Sequence, residues 1–148
     1  MVLLCFWSCK NSKSLAETEG LYKSNKVVFV NYKLFRLANG KRQLSYLNHT
    51  IKEGRLKRFT TTTPGKPNDL ICIQYNNRYR KLHSVLIKDP LRKIMEHIDD
   101  EKQLQTQVLE LDEAFFSVRM QLHPQTRFIA VRNFSEEENL METPINQE

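Results

Sequence analysis

A chain of 148 residues, 40% of them hydrophobic, suits one domain with an ordinary core and is short for two. Three cysteines, an odd number, argue against a disulfide framework and for a reducing compartment, and no stretch approaches the roughly 20 apolar residues that span a bilayer as a helix. The net charge of +6 hides an asymmetry: Lys10 to Lys93 holds 19 basic and 5 acidic residues, a net of +14, whereas Ile94 to Glu148 holds 4 basic and 12 acidic, a net of −8. A basic segment of that size attracts polyanions such as nucleic acid or anionic lipid. The acidic part could neutralise its own domain, or pair with the basic part of a neighbouring copy.

The first seven residues, Met1 to Trp7, are apolar but lack a basic leader, which makes a poor signal peptide. Cys5 and Cys9 have no His or Cys partner at zinc-ligand spacing. Without a secretory signal, the sequons at Asn48 and Asn133 read as chance. Residues 1–25 read as a flexible lead-in. Val27 to Leu37 is strand-like, Asn39-Gly40 is a hairpin signal, and Gln43 to Ile51 is the returning strand. Glu53-Gly54 marks another turn and Leu56 to Thr63 a short strand. Pro64 to Asp69 is a loop, and Leu70 to Tyr75 suits a buried strand in which Cys72 is a small core residue. Asn76-Asn77 supplies a turn, and Tyr79 to Lys88 alternates as a strand with both faces partly covered.

Asp89-Pro90 reads as a helix start, because Asp is a good N-cap and Pro suits the first helical position. Leu91, Ile94, Met95 and Ile98 then form one helical stripe. Asp99-Asp100 ends that helix and caps a second, with Gln103 reaching back and Leu104, Val108, Leu111 and Phe115 as its stripe. From Phe116 to Leu122 both periods fit: Val118 and Leu122 continue the helix, while Phe116, Val118, Met120 and Leu122 alternate as a strand. Arg127 to Asn133 reads as the last strand, and residues 135–148 as an acidic disordered tail. The expected fold is α+β: mainly antiparallel, sandwich-like sheets with one or two helices, forming a single domain over residues 26–134.

No catalytic constellation is present. His49, His83, His97 and His123 lack helical or Cys partners at ligand spacing, the acidic run Asp99-Asp100-Glu101 suits a helix N-terminus better than a metal, and there is no phosphate-binding glycine loop or nucleophile elbow. The expectation is a non-enzymatic protein without cofactor or metal. The positive signal is basic clusters with aromatic neighbours: Arg55, Lys57 and Arg58 beside Phe59; Arg78, Arg80 and Lys81 around Tyr79; and Lys88, Arg92 and Lys93. Such cations neutralise phosphates and release counterions, and Tyr or Phe can stack on unpaired bases at about 1–3 kcal/mol each. The same clusters suit anionic headgroups at about 1 kcal/mol per cation.

The run Lys88-Asp89-Pro90-Leu91-Arg92-Lys93-Ile94-Met95 resembles a run in the matrix protein of bornaviruses. Upstream, Phe59-Thr60, the Pro/Gly loop and Leu70 to Tyr75 follow that family's order, as do Val28 to Leu37 and the segment ending Ile51-Lys52-Glu53. Downstream, Ala114-Phe115 to Arg119 matches a helix followed by an Arg-bearing segment. The resemblance spans roughly residues 26–130. Residues 1–10 have no counterpart and the acidic tail differs, as in a distant genus or an endogenous viral copy. The family implies a sheet-rich domain similar to the filovirus matrix N-terminal domain, a homotetramer with higher assemblies, and contacts to single-stranded RNA, an anionic membrane surface and the viral phosphoprotein. It also implies a place in the virion under the envelope and, in the host cell, in the cytoplasm, at the inner plasma membrane and in the nucleus. Of the basic residues, only Lys88, Arg92 and Lys93 carry over from the matched run. Two other classes fit the charge pattern: a monomeric RNA-binding accessory protein, and a small nuclease, which would need carboxylates that the basic region scarcely holds.

Overall fold

The computed structural model describes residues 23–57 and 63–147. Within them the chain forms nine strands: β1 Lys26–Arg36, β2 Arg42–Glu53, β3 Leu70–Tyr75, β4 Lys81–Ile87, β5 Arg92–Ile98, β6 Leu104–Glu110, β7 Glu113–Gln121, β8 Phe128–Asn133 and β9 Asn139–Pro144. One sheet has the order β2-β1-β7, a second β4-β3-β8-β9, and β5-β6 stand apart as a hairpin. Every pairing is antiparallel. The first two sheets close on a shared core, so the protein is a β-sandwich.

Alternation explains the packing. Along β1, Val28, Val30, Tyr32 and Leu34 point inward and are buried. Val118 and Met120 of β7 meet them, continued by Leu122, and Leu70, Cys72, Ile129 and Val131 come from the second sheet. The Tyr32 hydroxyl reaches Thr143 Oγ1 at 3.3 Å, tying β1 to β9 across the sandwich. Burial pushes the Cys72 thiol up to about 12, so it packs as a neutral core group. Buried Gln74 is fully engaged: its side chain donates to the Gln121 carbonyl and accepts from His123 N and Thr126 Oγ1.

The expected α+β class is corrected to all-β. No helix follows Pro90. Asp89, Pro90, Leu91 and Arg92 instead form a turn closed by Arg92 N donating to Asp89 O at 3.2 Å, with Asp89 Oδ1 accepting from Leu91 N. This is the opening of a helix, but it does not propagate. The Leu91 carbonyl accepts from Leu111 N across the chain rather than from the next turn, and Arg42 binds the Asp89 carboxylate. The second expected helix fails similarly, because Asp99 N donates to Gln103 O and Lys102 N to Asp99 O, closing the β5–β6 turn. Ile94 and Ile98 lie four residues apart, a spacing that serves both a helical stripe and one face of a strand. Over 116–121 the strand reading holds, and Leu122 follows the strand as a buried residue.

The tail is also corrected in part. Its residues Asn139–Pro144 form β9, paired with β8, and Ile145 is buried. Burial of Leu140, Met141 and Thr143 along this edge outweighs the acidic composition. Most of the expected flexible lead-in, most of the short strand expected from Leu56 to Thr63, and Cys5, Cys9, Arg58 and Phe59 lie outside the described residues.

Candidate nucleic-acid interface

The strands run along a common direction, so the sandwich has two ends, and charge is sorted between them. At one end lie the C-terminus of β1, the starts of β2, β3 and β7, and the exit of β4. Four of its cations are paired: Lys33 with Glu113 at 2.8 Å, Arg36 with Glu110 at 3.4 Å, Arg42 with Asp89 at 2.9 Å and Lys88 with Asp69 at 3.1 Å. Arg42 is largely buried and also donates to Asn68 O and Asn133 Oδ1. Burial draws its guanidinium below the ordinary value, against the opposing pull of Asp89. Burial pushes Asp69 up, but donation from Lys66 N, Lys88 Nζ and Asp89 N outweighs it, and the carboxyl sits below its ordinary value.

The opposite end gathers the end of β2, the β3–β4 turn, the loop between β7 and β8, and residues 145–147, where Ile145 N donates to Arg127 O and Gln147 Nε2 to the carbonyls of His123 and Thr126. Gln121 ties the end of β7 to the start of β1 and the end of β2: its Nε2 donates to the carbonyls of Ser24, Lys26 and Gly54, and its Oε1 accepts from Leu56 N. Arg55 and Lys57 follow directly and are exposed. Arg78, Arg80 and Lys81 project from the β3–β4 turn, which Asn76 organises by accepting Arg78 N at 2.9 Å and Arg80 N at 3.0 Å on its Oδ1. Across residues 23–26, 52–57, 76–81 and 122–127 the only carboxylate is Glu53.

That turn places Tyr79 in left-handed backbone, with φ of 56°. A non-glycine residue there costs roughly 1–3 kcal/mol. The conformation is held by Tyr79 N donating to Asn76 O, and it lays the ring 4.5 Å from Phe128, which itself stacks on Tyr75 at 5.4 Å and 22°. Tyr79 nevertheless stays 64% exposed. An open ring on an aromatic base, surrounded by cations, can take an unpaired base on its face and phosphates around it.

The site residues expected from sequence therefore divide. Arg55, Lys57, Arg78, Arg80 and Lys81 share one end. Lys88, Arg92 and Lys93 lie at the other: Lys88 is in its ion pair, and Arg92 stands opposite Glu110 at the base of the β5–β6 hairpin. Arg58 lies outside the described residues. Sequence reasoning did not bring in Lys26, Lys52 or Arg127, because only the register Tyr75 to Phe128 brings Arg127 to the β3–β4 turn, and only the β1–β2 register and the Gln121 bonds bring Lys26 and Lys52 to the same end. Among the described residues no group of three His, Cys, Asp or Glu could hold a metal ion, and no helix is long and apolar enough to cross a membrane. No protein-family model, curated protein or solved structure matches the chain.

Proposed function

We propose that the protein is a non-enzymatic scaffold of the viral matrix type whose cationic end binds single-stranded RNA. One observation carries the reading: Arg55, Lys57, Arg78 and Lys81 lie at the same end of the sandwich as the exposed Tyr79, with a single carboxylate in the segments that present them. Phosphate neutralisation supplies affinity there, and the Tyr79 ring supplies a preference for strands whose bases are free to stack. The resemblance to bornavirus matrix proteins extends the proposal to self-assembly, contact with the inner face of an anionic membrane and with a viral phosphoprotein, and thus to linking ribonucleoprotein to envelope during assembly and budding.

The test is fluorescence anisotropy with a single-stranded RNA and its duplex over a salt series, alongside flotation with neutral and anionic liposomes. The reading expects salt-sensitive binding that favours the single strand and weakens in Tyr79→Ala. Duplex bound as well as single strand, with no effect of Tyr79→Ala, would reject the stacking role. No RNA binding at low salt would reject the function.

A further inference from the structure

The β5–β6 hairpin projects from the ion-paired end, opposite the cationic end. Seven residue pairs join its strands, a reach of about 23 Å at roughly 3.3 Å per residue. Every residue of β5 is exposed. One face carries Ile94 opposite Val108 and Ile98 opposite Leu104, exposed by 60%, 45%, 70% and 66%, with Glu96 opposite Thr106 between the two apolar pairs. A two-stranded hairpin is marginal alone in water, and an apolar face of this kind needs a cover. The outer half is acidic: residues 96–107 hold Glu96, Asp99, Asp100 and Glu101 against Lys102, a net of −4 + 1 = −3. Asp99 is kept ionised, since donation from Gln103 N and the Gln105 side chain lowers its pKa.

We propose that this hairpin is an assembly arm that docks head-to-tail on the cationic end of a second copy of the chain. Charge selects the occupant. An acidic tip is repelled by an anionic membrane surface. It also finds little at the base of another arm, where Arg92 and Lys93 stand among Glu110, Asp112 and Glu113. The cationic end of a second copy offers Arg55, Lys57, Arg78 and Lys81 to the tip, and the exposed Tyr79 beside Phe128 to Ile98 and Leu104. The contact joins two different surfaces, so it propagates from copy to copy and closes only if the rotation allows a ring. The inference uses the same end as the RNA reading and makes RNA and the neighbouring copy competitors for it.

The test is sedimentation velocity on the full chain over a range of protein and salt concentrations. It compares the wild type, a tip variant (Asp100→Lys with Glu101→Lys) and an end variant (Arg78→Glu with Lys81→Glu). All four positions lie on exposed turns or the first residue of β4. The wild type should self-associate with concentration, about tenfold more weakly at 0.5 M than at 0.1 M salt. Each variant alone should lose association at least as strongly, and an equimolar mixture should recover it. A single-stranded RNA oligonucleotide should dissolve wild-type assemblies, while the tip variant keeps its RNA affinity. A monomeric wild type under all conditions would overturn the proposal. So would association that both reversals leave intact, or association that strengthens with salt and disappears only in Ile98→Ser with Leu104→Ser, which would mean arm-on-arm packing. RNA affinity of the tip variant reports on the RNA reading separately, so either can fail without the other.

Discussion

Charge reversal at the two ends offers a controlled test, because both ends held candidate cations and the same change in net charge can be made at each. In Arg78→Glu with Lys81→Glu the reversal falls beside Tyr79; in Arg92→Glu with Lys93→Glu it falls near Glu110 and Asp112, across the sandwich. For a single strand each phosphate contact contributes about 0.7 to the slope of log K against log salt. Removing two contacts should therefore flatten the slope by about 1.4. At 0.1 M salt each contact is worth a factor of 10 to the power 0.7, about fivefold, so two amount to about 25-fold, and reversal adds repulsion to that loss. The Arg92/Lys93 variant changes net charge identically and should stay within about threefold of wild type, because long-range effects are screened over about 10 Å at this salt. Anisotropy of a labelled single-stranded RNA over a salt series reads both quantities. Equal losses in the two variants would show that net charge, and not the end containing Tyr79, governs binding. An undiminished slope in the first variant would remove Arg78 and Lys81 from the site.

Other consequences can be checked independently. Arg42→Met leaves the Asp89 carboxylate, 11% exposed, without its cation, and urea unfolding should show a loss of about 3–5 kcal/mol; a loss below 1 kcal/mol would mean that the pair is replaceable. Tyr79→Ala should weaken single-stranded RNA binding by about 1–3 kcal/mol per stacked base while leaving the salt slope unchanged, as read by the same anisotropy titration. Burial, with Lys81 and His123 adding to it, lowers the His83 pKa in the fold. The unfolded chain then takes up that proton first, so stability should hold above about pH 6.5 and decline as pH falls below it; His83→Gln should blunt the decline in thermal melts from pH 7 to 5. A Cβ at Gly65 would come within 2.6 Å of the Phe134 ring, but that ring is 41% exposed and can swing aside, so Gly65→Ala should lower the melting temperature only slightly, by less than about 1 kcal/mol.

Local signals in the sequence determined much of the sheet framework. The alternation from Val27 to Leu37, the turn at Asn39-Gly40, where Gly40 takes φ of 80°, and the apolar run Leu70 to Tyr75 correspond to β1, its hairpin and β3. These need only the two-residue period and a turn residue free to adopt positive φ. The clustering of Arg78, Arg80 and Lys81 around Tyr79 was equally legible, since a tight turn displays its own residues.

Tertiary structure decided what rested on partners distant in the chain. Asp89-Pro90 opens a helix or a turn equally well, and Leu111 and Arg42 settled it by taking the Leu91 carbonyl and the Asp89 carboxylate. Acidic composition hid β9, which forms because β8 offers it an edge and the core buries Thr143 and Ile145. Charge along the chain could not show that Lys88 is neutralised by Asp69 while Arg55 and Lys57 join Arg78 at the other end. Coulomb energy depends on distance in space, and only the antiparallel register converts position along the chain into that distance.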